Sequence, residues 1–126
     1  MKETWHLERQ HDAVTVSRPG RARLDVAVSR ALDVTAPVSL ARMAHQIRQD
    51  VWRALAGQRG FSPVVHITRR VGGLDVTAGG MISARNPLSD RLHNRIGAVL
   101  DCPRNRDRWC RFARHKRALA GDRPRG

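Results

Sequence analysis

Phe61-Ser62-Pro63-Val64-Val65-His66-Ile67-Thr68-Arg69-Arg70-Val71-Gly72-Gly73-Leu74-Asp75-Val76-Thr77-Ala78 is the stretch that decides the fold. Apolar and polar residues alternate on both sides of Gly72-Gly73, which is the period of a half-buried strand. Two adjacent glycines can supply the pair of positive φ angles that a type I′ turn requires, so the stretch reads as a β-hairpin. A turn centred there sets Val71 against Leu74, Arg69 against Val76 and Ile67 against Ala78. Val65, Ile67, Val71, Leu74, Val76 and Ala78 then share one face with Arg69. Val64, His66, Thr68, Arg70, Asp75 and Thr77 occupy the other, where Arg70 meets Asp75 and Thr68 meets Thr77, both favourable cross-strand pairs. Gly79-Gly80 reads as the end of the second strand.

Upstream, Pro37 breaks the chain and Ser39 is a suitable N-cap. Leu40, Met43, Ala44, Ile47, Val51, Ala54 and Leu55 recur at helical spacing as far as Gly57. This predicts an amphipathic helix over 39–56, with Arg42, His45, Gln49 and Arg53 on its outer face. Further back, Val14–Ser17 and Ala22–Val28 flank Arg18-Pro19-Gly20-Arg21, and Pro-Gly at the centre of four residues suits a type II turn. A first hairpin is expected there. Leu24, Ala27, Val28, Ala31 and Leu32 also fall on one helical face, so a helix from about 24 to 32 competes with the second strand of that hairpin. Residues 1–12 are polar apart from Trp5 and Leu7, and are set aside as an N-terminal segment.

Downstream, Asn86-Pro87 has the form of an N-cap followed by proline at the first helical position, with Ser89 as a competing cap. Leu88, Leu92, Ile96, Val99 and Leu100 predict a second helix, and Asp101-Cys102-Pro103 interrupts it. A last helix is expected over 104–120, with Trp109, Phe112, Ala113, Leu119 and Ala120 on its apolar side, stopped by Gly121 and Pro124. The expected fold class is α+β. An antiparallel sheet built from two β-hairpins, in the order ββ-α-ββ-α-α, is covered on one face by helices and ends in a basic C-terminal helix. One domain spans 13–120, followed by a basic tail over 121–126. Leu-Asp-Val recurs at 24–26, 32–34 and 74–76, but matches of three residues arise by chance in a chain of this composition.

The 126 residues include 24 Lys or Arg against 11 Asp or Glu, a net charge of +13. With 40% hydrophobic residues the chain can bury a core, which excludes a wholly disordered basic tail. No run approaches the roughly 18–20 apolar residues of a membrane span. Met1–Arg9 holds two acids and no apolar stretch, so no secretory signal is read and a cytoplasmic location is expected. The charge is uneven. Residues 1–36 carry six bases and five acids, 37–100 carry nine and three, and 101–126 carry nine and three in less than half that length. Of the 24 bases only Lys2 and Lys116 are lysines. GC-rich codons, which also favour alanine, account for that preference, but they do not account for the net excess.

On a helix over 104–120, Arg104, Arg108, Arg111 and His115 form one stripe that Arg114 and Arg117 widen, while Trp109 and Phe112 face elsewhere and dock the helix. A docked helix with a cationic outer face can track a phosphate backbone. The expectation is a non-catalytic nucleic-acid-binding protein that contacts DNA or RNA phosphates through Arg104, Arg108, Arg111, Arg114, Lys116 and Arg117, helped by Arg42 and Arg53. The alternative is a protein-interaction module (an adaptor, accessory subunit or inhibitor) docking the same arginines on an acidic partner. A merely solvated face is the third account.

Other patterns are weaker. The hairpin face with His66, Thr68, Arg70 and Thr77 lacks the aromatic platform of RNA-binding sheets. Gly57-Gln58-Arg59-Gly60 has the GxxG form of a KH loop, but that loop joins two helices and here a strand follows at once. Gly72-Gly73 and Gly79-Gly80 lead into no Lys-Ser/Thr, so no phosphate loop is read. Cys102, Cys110 and His115 lack the tight cysteine pair of zinc sites, so no metal or cofactor is expected and both cysteines are taken as buried free thiols. A ribonuclease-type toxin would use His45 or His66 with Arg69 and Arg70, but nothing in the sequence marks a catalytic pair.

Overall fold

The structure is a computed structural model that describes residues 5–82 and 89–114. Five strands and three helices follow one another as β1 (His6–Gln10), β2 (Ala13–Ser17), β3 (Val26–Asp33), α1 (Leu40–Ala54), β4 (Phe61–Arg70), β5 (Gly73–Ile82), α2 (Ser89–Asp101) and α3 (Pro103–Ala113). The strands make one antiparallel sheet in the order β1-β2-β4-β5-β3. The fold is α+β, and the chain order is βββ-α-ββ-α-α. Because β5 lies between them, β3 and β4 run parallel, and α1 is the crossover that joins them.

The central hairpin β4–β5 forms as the alternation requires, but its turn is one residue earlier than expected. Arg70 pairs with Gly73, Arg69 with Leu74 and Ile67 with Val76, so Val71 and Gly72 are the turn residues. Gly72 takes φ +80° while Gly73 does not adopt a positive φ. The reason lies in the next strand. Gly73 pairs with Asp33 at the end of β3, and a Cβ there would fall 2.0 Å from the Leu32 carbonyl oxygen. Close approach of β3, and not the turn, is what requires the second glycine. The partner shifts by two residues, so every side chain keeps its face, and Val65, Ile67, Leu74, Val76 and Ala78 are buried together. Val71 alone leaves that face and is 95% exposed. Arg70 still reaches Asp75, now diagonally, at 3.1 Å.

The N-terminal hairpin differs from the expected one. β1 and β2 pair through a two-residue turn at His11-Asp12, where Asp12 adopts φ +58°, a left-handed conformation that aspartate tolerates better than most residues. The polar segment 1–12 therefore contains an edge strand. The Pro19-Gly20 turn does form: Arg21 N–H donates to the Arg18 carbonyl at 2.9 Å and Gly20 has φ +74°. It does not join paired strands. β2 adds to β4, whereas β3 adds to β5 on the opposite side of the hairpin. A turn constrains four residues, but the ten-residue strands β4 and β5 each offer a long free edge with an apolar inner face. The rivalry between strand and helix over 24–32 is settled for the strand, with Val26, Val28 and Leu32 buried and Ala27, Ser29, Ala31 and Asp33 exposed. Gly79-Gly80, read as a strand end, lies inside β5.

Ser39 caps α1 by accepting the Arg42 N–H at 3.2 Å, and Leu40, Met43, Ala44, Ile47 and Val51 bury the inner face of the helix against β2 and β4. Leu92, Ile96 and Leu100 of α2 are fully buried, and α2 packs on β3 and α1. α3 packs on α1 and α2. Cys102 is its N-cap residue and Pro103 occupies the first turn. The last helix ends at Ala113, short of the expected 120. Arg114 is extended and bridges to Val38, and the Ala113 carbonyl accepts the Ser39 N–H at 2.8 Å. Asn86-Pro87, Leu88 and residues 115–126 lie outside the described residues. Among the described residues no helix is long and apolar enough to cross a membrane.

At Gly79 a Cβ would sit 1.8 Å from the Val26 carbonyl oxygen, whereas at Gly57 nothing lies within 4 Å. Gly79→Ala should therefore lower the unfolding free energy by about 2 kcal/mol or more in urea titration, and Gly57→Ala should stay within about 0.5 kcal/mol of the parent.

Candidate nucleic-acid interface

α3 carries the first of the predicted contact residues, and one carboxylate holds it in place. Asp50, on α1, has a side chain only 11% exposed. It accepts the indole N–H of the fully buried Trp109 at 2.6 Å, the guanidinium of Arg108, and Arg53 at 3.3 Å. Arg108 also donates to Asn105 Oδ1 at 2.9 Å. Arg108 and Arg53, both expected to face a polyanion, pair with the single Asp50 carboxylate, Arg53 while its side chain stays 70% exposed. An inward-facing arginine was not distinguishable in sequence from its outward-facing neighbours, because the acid it meets is 58 residues away.

Arg106 is likewise structural. Its Nε–H donates to the Leu100 carbonyl at 2.7 Å and its guanidinium lies 3.5 Å from Asp101. Asn105 donates to the Val99 carbonyl at 3.0 Å. Both side chains thus reach the carbonyls at the end of α2, where cations and donors are favoured. Asp101 also takes two hydrogen bonds from Arg30 of β3, at 2.8 and 3.2 Å, and these lower its pKa below the usual carboxylate range.

What α3 presents outward is Arg104, Asp107, Arg111 and Phe112. Asp107, three residues after Arg104 and four before Arg111, partly offsets both. Phe112, expected to dock the helix, is 58% exposed. Trp109 and Ala113 are buried in the core, and Cys110 packs against it. Arg114 is exposed at the end of α3 and is tied by its backbone to Val38. Arg42 is exposed in the first turn of α1, and Arg69 of β4 donates to the Val38 carbonyl at 3.2 Å. Three arginines from distant parts of the chain thus meet around Val38-Ser39. Arg42 and Arg114 were among the expected contacts. Arg69 was considered only for catalysis. Lys116 and Arg117 lie outside the described residues.

A second basic region, absent from the sequence reading, lies towards the other end of α1. Arg18 stacks between Trp5 and Trp52, at 5.2 and 5.1 Å from the ring centroids, and Arg48 lies 4.2 Å from the Trp5 centroid. Beside this stack is a cleft of about 510 Å³ bordered by Arg18, Arg21, Arg23, Trp52, Phe61 and Met81. Arg23 pairs with Asp25 through two hydrogen bonds of 2.7 and 3.0 Å, and Asp25 also accepts the Ile82 N–H at 2.9 Å. These contacts, Arg23 foremost, pull the Asp25 carboxyl down to about 2. The signal available in sequence was the spacing Arg18, Arg21, Arg23 around Pro19-Gly20, which was read only for its turn.

Among the described residues no three His, Cys, Asp or Glu side chains gather into a group that could hold a metal ion. His66 shares a 2.7 Å hydrogen bond with Thr15 on the sheet face turned away from the helices. His45 lies on α1, where burial, and then Arg48, lower its pKa. Cys102 and Cys110 are free and half-buried, and burial pushes the Cys110 thiol up, away from the reactive thiolate. Nothing matches the chain among protein-family models, curated proteins or solved structures, so function is argued from its own residues.

Asp50→Ala leaves the Trp109 N–H and the Arg108 guanidinium without their acceptor. It should cost about 2–4 kcal/mol in chemical denaturation, and Arg53→Ala should cost under about 1 kcal/mol because Arg53 is exposed. The Asp25 carboxyl has a folded-state pKa of about 2 against an ordinary 3.8, so its contribution is complete above that ordinary value and fades as pH falls from 3.8 towards 2. Urea titrations at neutral and acid pH should show Asp25→Asn destabilising at neutral pH, with a smaller difference from the parent near pH 2.

Proposed function

We propose that the protein is a small, non-catalytic nucleic-acid-binding protein of a cytoplasmic setting, contacting DNA or RNA phosphates from its helical side. The observation that carries this reading is the gathering of Arg42, Arg69 and Arg114 around Val38-Ser39, with Arg104 and Arg111 exposed along α3. The first turn of α1 holds no acid. Lys116 and Arg117 follow Arg114 in the sequence. Arg42 and Arg114 are anchored through their backbones and Arg69 through its guanidinium, which also lies 3.8 Å from Asp12, and arginines on separate elements can reach successive phosphates. In this reading Arg108 and Arg53 support the surface through Asp50 and do not touch the ligand.

The exposed Phe112 beside Arg111 favours a second reading, in which this face docks on an acidic protein, since aromatic residues and arginine are the side chains enriched at such interfaces. A partner captured from nuclease-treated lysate, and lost on Phe112→Ala, would support the protein reading over the nucleic-acid one.

Binding to a labelled duplex and to a single strand, measured between about 50 and 200 mM salt, tests the proposal. Tight binding at low salt with a steep salt dependence is expected. Arg104→Ala with Arg111→Ala should reduce the salt slope by about two units, while Arg53→Ala should leave it unchanged. No binding at the lowest salt, or a slope near zero, would remove the proposal.

A further inference from the structure

We propose that the cleft beside the Arg18–Trp52 stack is a nucleotide site, taking a flat heterocycle that carries phosphate. It lies towards the C-terminal end of α1, roughly 20 Å along the helix from the arginines around Val38, and the proposal stands without that surface.

Three arguments meet there. The first is charge. Arg18, Arg21 and Arg23 enter one cleft from the Pro19-Gly20 turn and its flank. Arg23 is engaged by Asp25, which also accepts the Ile82 N–H. Arg21 is exposed and forms no ion pair among the described residues. A planar guanidinium with unused N–H groups matches a phosphate oxygen pair.

The second argument is the apolar part of the lining. Trp52, Phe61, Met81 and Ile82 give the cleft an apolar side against which a base can stack. The volume of about 510 Å³ falls within the range of small-ligand sites. Phosphate alone would need the cations and not the aromatic wall. An uncharged aromatic would need the wall and not the arginines.

The third argument is the polar fittings. Gln58 lines the cleft with an amide able to donate to and accept from a base edge. Ser62 also lines it, is only 6% exposed, and its hydroxyl has no hydrogen-bond partner among the described residues. A buried hydroxyl without a partner is costly, and a ligand seated in the cleft can supply one.

The site is held open before any ligand arrives. Arg18 is fixed by two indole rings, and the loop carrying Arg21 and Arg23 is pinned to β5 by the Asp25 N–H to the Gly80 carbonyl at 2.9 Å and by Asp25 to Ile82. Such preorganisation lowers the ordering cost of binding.

The test is a titration of the full chain with adenosine 5′-monophosphate, guanosine 5′-monophosphate, adenosine and inorganic phosphate, followed by amide chemical shifts and tryptophan fluorescence. Saturable binding of a mononucleotide, tighter than that of adenosine or phosphate alone, is expected, with shifts centred on residues 18–23, 58–62 and 81–82. Arg21→Ala should weaken it about tenfold with the circular dichroism spectrum unchanged, while Arg104→Ala with Arg111→Ala should leave it intact. Nucleotide binding no tighter than inorganic phosphate, shifts confined to α3, or an Arg21→Ala variant of unchanged affinity would each overturn the proposal. An unlabelled single-stranded oligonucleotide then separates two sources of the same chemistry. Displacement of the mononucleotide identifies an unpaired nucleotide of a strand as the occupant, and retention identifies a free nucleotide. Mononucleotide binding without duplex or strand binding at low salt would end the phosphate-backbone reading and leave this one standing.

Discussion

The Asp50 carboxylate is the point on which the helical layer turns. It sits where α3 packs on α1, and only 11% of its side chain is exposed to water. Its charge is balanced only by donors brought from α3 and from its own helix, chiefly the Trp109 indole, Arg108 and Arg53. A nearly buried acid without such donors would be strongly unfavourable, and this makes the docking of α3 specific where apolar contact alone would tolerate sliding. The same contact decides which arginines are left for solvent.

Net charge is therefore a poor map of surface charge in this molecule. Arg106 serves the end of α2, Arg108 and Arg53 serve Asp50, Arg30 serves Asp101, and Arg23 serves Asp25. Asp12, Asp25, Asp33, Asp50, Asp75 and Asp101 each take at least one arginine. Among the described residues the exposed arginines include Arg104 and Arg111 on α3, Arg42 and Arg114 beside Arg69 at one end of α1, and Arg21 beside the tryptophan stack towards the other. A functional surface built this way is assembled from turns and helix ends, and no single run of basic residues reveals it.

Much of the candidate site was illegible for that reason. Arg42, Arg104, Arg111 and Arg114 could be named because helical periodicity sorts inner from outer positions. Arg108 failed the same sorting, since its position lies at the border of the two faces and a distant acid tipped it inward. Phe112 failed because the helix packs through Trp109, Ala113 and Cys110 instead. The cleft was missed because Trp5, Arg18, Trp52 and Phe61 belong to four separate segments whose proximity follows only from β2 and β4 being neighbours.

Local chemistry determined the α1 helix from its Ser39 cap and 3.6-residue period, the β4–β5 hairpin from its alternation, the break at Cys102-Pro103 and the α+β class. These depend on contacts within a few residues, where backbone preference and side-chain periodicity act directly. Only tertiary structure decided the register of the hairpin, because Gly73 answers to β3 across the sheet. It likewise decided that β3 crosses to the far edge, that the N-terminal residues supply a strand, that α3 stops at Ala113, and which arginines face outward. Those outcomes rest on groups far away in the chain, among them the Leu32 carbonyl for Gly73, the Ser39 N–H for the end of α3 and Asp50 for Arg108, which no preference of neighbouring residues reports.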